Sequence, residues 1–213
     1  MSKQYFITID TETTQDQKVA DFAAVISDRQ GRIFAQCAVL VNGIFTDAEN
    51  HPLFFDSSAK PDALWSRAGA DRRYEHYKTM VRDGSRMIAS VSAINRWLER
   101  ARGEFDPILT AYNLAFDVDK MEKTGIDSTI FSRRFCLWQT AAKKWGHTKD
   151  YKNFVLEKTL PMKFDSFYVS MLSEKYKTGK MNFLNGFWRG FVSNWKARST
   201  SEYSSLIYIL KKR

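Results

Sequence analysis

Three short stretches place carboxylates where chemistry could be done. In "FITIDTETT" (residues 6–14) an apolar run of strand character ends in Asp10 and Glu12. Side chains two apart in an extended chain share a face. Two acids on one face of a buried strand repel and are costly to desolvate, so a positive group is expected between them, a divalent metal first. In "TAYNLAFDVDK" (residues 110–120) a strand runs into a helix, with Asn113 and Asp117 four apart and so on one helix face. Asn113 suits the capping position, and strand ends of open α/β sheets are where sites are built. In "KARSTSEYSSLI" (residues 196–207) Glu202 opens a helix of small and apolar residues. The competing readings are a solvated strand end for Asp10 and Glu12, a surface acid for Asp117, and a helix-dipole acid for Glu202.

Together the three stretches resemble the DEDD superfamily of 3′–5′ exonucleases, which includes proofreading domains, ribonuclease T, oligoribonuclease and phage exonucleases. "FITIDTETT" is similar to its first motif and "AYNLAFDVDKM" to its second, with Asp117 as third acid and Asn113 in its customary place. The resemblance covers residues 4–145 well, is thin over 146–195, and resumes at the end of the chain. In the third motif Glu202 stands at the last acidic position. Ala197 stands where the histidine-type branch has its general base, and Arg198 where the tyrosine-type branch has its own. Natural loss and an engineered His→Ala exchange both account for Ala197. The resemblance implies a ribonuclease H-like fold and two Mg²⁺ or Mn²⁺ ions, hard cations that suit oxygen ligands. Asp10 bridges the two ions and Glu12, Asp117 and Glu202 complete the shells. The ion pair activates a water and neutralises the leaving oxygen of a phosphodiester. Thr13 and Phe116 are expected to line the pocket for the terminal nucleotide.

The elements that must hold these acids follow from periodicity. Residues 4–9 read as a strand. Residues 20–27 and 32–41 read as a hairpin around the turn Asp28-Arg29-Gln30-Gly31. Residues 42–62 are loop-like, and 63–80 and 85–102 are expected to be helical. A strand at 107–112, a helix at 113–123 closed by Gly125, and a strand running into a helix over 135–144 complete the clear part. A C-terminal helix is expected at 199–210. The order points to one α/β domain spanning residues 1–213 around a mixed sheet flanked by helices, with a divergent aromatic and basic segment at about 146–195.

The net charge is +9 and is lopsided. Residues 1–106 hold 14 Lys and Arg against 15 Asp and Glu, while residues 107–213 hold the other 19 against 9. A basic half favours a polyanionic partner, the 3′ end of DNA or RNA, with a single strand expected. Lys143 and Lys144 are candidate phosphate contacts, within an aromatic-basic stretch that could also be an irregular core under a solvated face. His51, His76 and His147 could replace the missing base, with exposed histidines the plainer reading. Cys37 and Cys136 fit no metal spacing and read as reduced thiols. No apolar run reaches the length of about 18 residues needed to span a membrane, and the N-terminus lacks a signal-peptide core, so a cytoplasmic protein is expected. The functional readings are an exonuclease, a non-catalytic nucleic-acid-binding relative, and a protein-interaction module on the same fold.

Overall fold

A computed structural model describes residues 4–145 together with His147 and Lys149. Six strands form one sheet in the order β4-β3-β2-β1-β5-β6. They are β1 (Tyr5–Thr13), β2 (Val19–Asp28), β3 (Ile33–Val41), β4 (Met87–Ala89), β5 (Ile108–Ala111) and β6 (Arg134–Cys136). The helices are α1 (Arg67–Arg82), α2 (Val91–Phe105), α3 (Leu114–Thr124) and α4 (Leu137–Trp145). The expected mixed α/β architecture is therefore present: β2 runs antiparallel to β1 and β3, while β5 is parallel to β1 and to β6.

β2 is buried along its whole length, as its run of Val, Ala, Phe and Ile, broken by Asp21, demands. Ile7, Ile9, Phe22, Ala24, Ile26 and Leu109 of the sheet join Ile94, Leu98 and Ala101 of α2 and Met121 of α3 in one apolar core. The β2–β3 turn is closed by Asp28, whose carboxylate accepts from the backbone N–H of Gln30 (2.9 Å) and Arg32 (3.0 Å) and from Arg32 Nε (2.6 Å). Burial alone would raise the Asp28 carboxyl, but these donors hold it below its ordinary value.

Three boundaries differ from the sequence expectation. β1 does not stop at residue 9 but continues to Thr13, because β2 pairs with it throughout, Asp10 opposite Ala23 and Glu12 opposite Asp21. The stretch 85–102 is not one helix. Gly84 turns the chain at a φ of 75°, Met87–Ala89 pair with the edge of β3, and the Ser90 side chain then caps α2 by accepting from the Ala93 N–H at 3.2 Å. Met87 and Ile88 merely continued the helical spacing by coincidence. Helix α1 likewise starts at Arg67 rather than at residue 63, behind a Ser66 cap whose Oγ accepts from Gly69 N–H at 3.0 Å.

Ser66 also donates to the carbonyls of Pro61 and Ala63, both at 2.8 Å, folding the 61–66 loop onto the first turn of α1. Gly69 makes that approach possible: a Cβ there would lie 2.2 Å from the Leu64 carbonyl oxygen and 2.6 Å from that of Ala63. Gly69→Ala is expected to destabilise the protein, even though helix propensity alone would return about 1 kcal/mol. Thermal denaturation checks the sign: a raised Tm would mean that the loop moves aside at no cost.

Candidate functional site

The site is built where β1 outruns its parallel neighbour. The last β1 residue in register with β5 is Thr8, opposite Thr110, and β5 ends at Ala111. Thr11 therefore lies past the end of that ladder. Helix α3 starts just after β5, and Asp117 in its first turn supplies the acceptor. Asp117 Oδ1 accepts from Thr11 N–H at 3.0 Å and from Thr11 Oγ1 at 2.9 Å. The side chain is buried, and its position in the first turn suits the positive end of the helix dipole. The third acid is thus tied to the residue between the first two.

Asp10 and Glu12 are half-buried on the β1 face opposite to the Thr11 side chain. Directly across from Glu12 stands Asp21, an acid the motif reading passed over. Its partner is Arg86, with Nη2 3.0 Å from Asp21 Oδ2 and both side chains 0% exposed. Among the described residues Arg86 Nε and Nη1 are buried without a hydrogen-bond acceptor. The guanidinium meets the charge of Asp21, the carboxylate that stands across the ladder from Glu12. The signal in the sequence was Asp21 itself, an acid opening the otherwise apolar run 19–26.

Asn113 does stand at the α3 N-cap, but its side chain makes no capping bond. Its Oδ1 instead accepts from Trp138 Nε1 at 3.1 Å, joining α3 to α4, while its backbone carbonyl receives the Phe116 N–H at 2.9 Å. The capping role expected of the side chain is therefore corrected. Phe116 exposes its ring beside Asp117, with Lys120 Nζ 5.1 Å from the ring centroid. Lys120 also meets Asp119 Oδ2 at 2.7 Å and Gln17 Oε1 at 3.1 Å. Asp119 is a paired surface acid, its carboxyl lowered mainly by the hydrogen bonds from Lys120 and Lys123. Thr13 carries on its backbone carbonyl the Phe54 N–H at 2.8 Å.

Of the three histidines, only His147 is exposed. His76 is partly buried, and His51 is engaged, its Nδ1 2.8 Å from Asp16 Oδ2. Burial would raise the Asp16 carboxyl, but hydrogen bonds from Thr14 and His51 outweigh it and lower it below its usual value. Lys143 is exposed on α4. The side chain of Lys144, and Ala197, Glu202 and the segment 150–213 as a whole, lie outside the described residues. Cys37 and Cys136 are free thiols, and burial pushes Cys37 up to about 11. An open groove of about 400 Å³ runs between α3, β6 and α4 over Leu114, Val118, Arg134 and Cys136.

Among the described residues no group of three His, Cys, Asp or Glu side chains is close enough to hold a metal ion. The donor chemistry at the end of β1, carboxylate oxygens alone, is nevertheless that of a hard divalent cation. No helix among the described residues is long and apolar enough to cross a membrane.

Two expectations follow from the carboxylates. Asp117→Ala strands the buried donors of Thr11 and should cost about 1–3 kcal/mol. Asp117→Asn keeps an Oδ1 that can accept both bonds and should cost less; equal losses in urea unfolding would mean that Thr11 is not what the carboxylate supports. Arg86→Met leaves Asp21 buried without its cation and should cost about 3–5 kcal/mol. The double variant Asp21→Asn/Arg86→Met should recover part of that loss, and a strictly additive cycle would show the two side chains to be uncoupled.

Comparison of the chain with family models, with curated proteins and with solved structures returns no match. The functional reading rests on motifs and geometry.

Proposed function

We propose that this chain is a metal-dependent 3′–5′ exonuclease of the DEDD type, on a ribonuclease H-like sheet. The observation that carries the reading is the pair of hydrogen bonds from Thr11 to Asp117. They bring the acid of the second motif to the backbone of the first, although the two are 106 residues apart in sequence. The strand order supports the same reading: a hairpin of β2 and β3 beside β1, then β5 and β6 parallel to β1 on its other side.

Asp10 and Glu12, with Glu202, would hold two divalent ions; Asp117, which is bonded to Thr11 on the other face of β1, would have to turn from Thr11 to join them. Such a pair, when bound, activates a water and neutralises the leaving oxygen of a phosphodiester. The protein's own part is placement. Asp117 is held by Thr11, the Asp21 across from Glu12 is paired with Arg86, and Phe116 and Thr13 flank the acids where a terminal nucleotide would lie. The position of Ala197 favours a second reading, a nucleic-acid-binding relative that keeps the acids and turns over slowly or not at all.

End-labelled DNA and RNA strands incubated with Mg²⁺ or Mn²⁺ test the proposal. Shortening from the 3′ end should occur and should vanish in Asp10→Asn. Mn²⁺ should raise the Tm of the parent by ligand linkage and leave Asp10→Asn nearly unmoved. Ala197→His should speed hydrolysis by about 10²–10⁴-fold. Strand binding with no hydrolysis by either the parent or Ala197→His would favour the second reading, and no Mn²⁺ response at all would remove the metal site.

A further inference from the structure

The loop between β3 and α1 presents an arrangement that the acidic motifs do not explain. Its first part pairs with the end of β1: Leu53 bridges to Thr14, and the N–H of Phe54 donates to the carbonyl of Thr13 at 2.8 Å. This places Phe54 opposite the residue that follows Glu12. Leu53 turns inward and is buried, while Phe54 turns outward and stays 41% exposed. Trp65 stands beside it at 42% exposed, the two rings edge to face with centroids 6.2 Å apart.

The rings are held, not loose. Arg73 reaches from α1 to the carbonyls of Leu64 (2.7 Å) and Phe54 (2.6 Å) and lays its guanidinium 4.5 Å from the centroid of the Trp65 ring. Arg67 lies 5.3 Å from the centroid of Phe55. Asp56 receives its own backbone tie, its N–H donating to the Trp65 carbonyl at 2.7 Å. Among the described residues Arg67, Arg72 and Arg73 have no carboxylate partner, although Asp56, Asp62 and Asp71 lie in the same segment. Fixed aromatic rings that remain half in water, beside guanidinium groups whose charge is not met by an acid, match a ligand that offers flat π-faces and phosphates together.

We propose that Phe54, Trp65 and the arginines of the α1 start form a stacking platform for single-stranded nucleic acid. Bases lie on the two rings and a phosphate on Arg67, feeding the strand past Thr13 toward Glu12. The proposal deepens the exonuclease reading and rests on it for the direction of the strand.

The experiment measures binding apart from hydrolysis. Fluorescence anisotropy of labelled oligothymidylate and oligouridylate, about 12 nucleotides long, is recorded with EDTA present, so that strands are bound but not cut. Trp65→Leu and Phe54→Leu should each weaken binding by about 5- to 100-fold, with far-UV circular dichroism unchanged. Trp65→Phe should retain most of the affinity, because a π-face remains. Arg67→Gln should lower the slope of log affinity against log salt by about 0.7. Unchanged affinity in a folded Phe54→Leu/Trp65→Leu double variant overturns the platform, as does a parent that binds neither strand at low salt. If the parent binds and the aromatic variants do not, yet no metal cleaves the strand, the platform stands and the exonuclease reading falls. If strands are cut and the aromatic variants bind as the parent does, the reverse holds.

Discussion

Everything at the site depends on one carboxylate oxygen. Asp117 Oδ1 accepts both donors of Thr11, and with them it fixes where helix α3 sits against β1. A β-strand that outruns its neighbour leaves N–H groups that must find an acceptor if they are buried. Here the acceptor is charged, and charge-assisted hydrogen bonds are about twice as strong as neutral ones. The cost of burying that charge is met by two donors and by the helix N-terminus behind it. Moving Asp117 would leave Thr11 unsatisfied and would free the first turn of α3, carrying Phe116 with it.

The opposite face of β1 solves a different electrostatic problem. Glu12 and Asp21 face one another across an antiparallel pair, a position where like charges destabilise a sheet. Arg86 removes one of the two charges by pairing with Asp21 inside the protein. The short strand β4 follows directly from this, because the residue that enters the sheet as a cation is succeeded by Met87–Ala89 laid on the edge of β3. The loop after α1, which looks like a helix start in the sequence, is thus the route by which a guanidinium reaches the acidic end of β1.

The sequence made much of this legible, and its failures have physical causes. Local patterns located the hairpin, the turn at Asp28–Gly31, and the strand-to-helix passage into α3, because in each the side chains that fix the backbone lie within a few residues. β1 was cut short since Asp10, Thr11 and Glu12 do not look like strand residues; the long partner β2 keeps them extended, and that is a non-local effect. Asn113 was recognised at the right position but for the wrong bond, since its partner Trp138 is on another helix. Asp21 and Arg86 were passed over because 65 residues separate them. The platform residues Phe54 and Trp65 fall in a stretch without periodicity, where no repeat marks which rings turn inward.

The double duty of Asp117 changes what the retained acids mean. A buried carboxylate with no task should be lost over time, since its desolvation is costly. Asp117, however, has a structural task that would preserve it even if catalysis were lost. It therefore discriminates between the exonuclease and its non-catalytic relative less well than its place in the motif suggests. Asp10 and Glu12 carry more weight. They stand half-buried on a shared face, and the Asp21 opposite Glu12 is paired with Arg86. This pairing relieves Glu12 of a like-charge neighbour, and that relief matters most if Glu12 must remain ionised and close to Asp10. Two carboxylates placed in this way offer the hard oxygen donors that the proposed divalent cation would take.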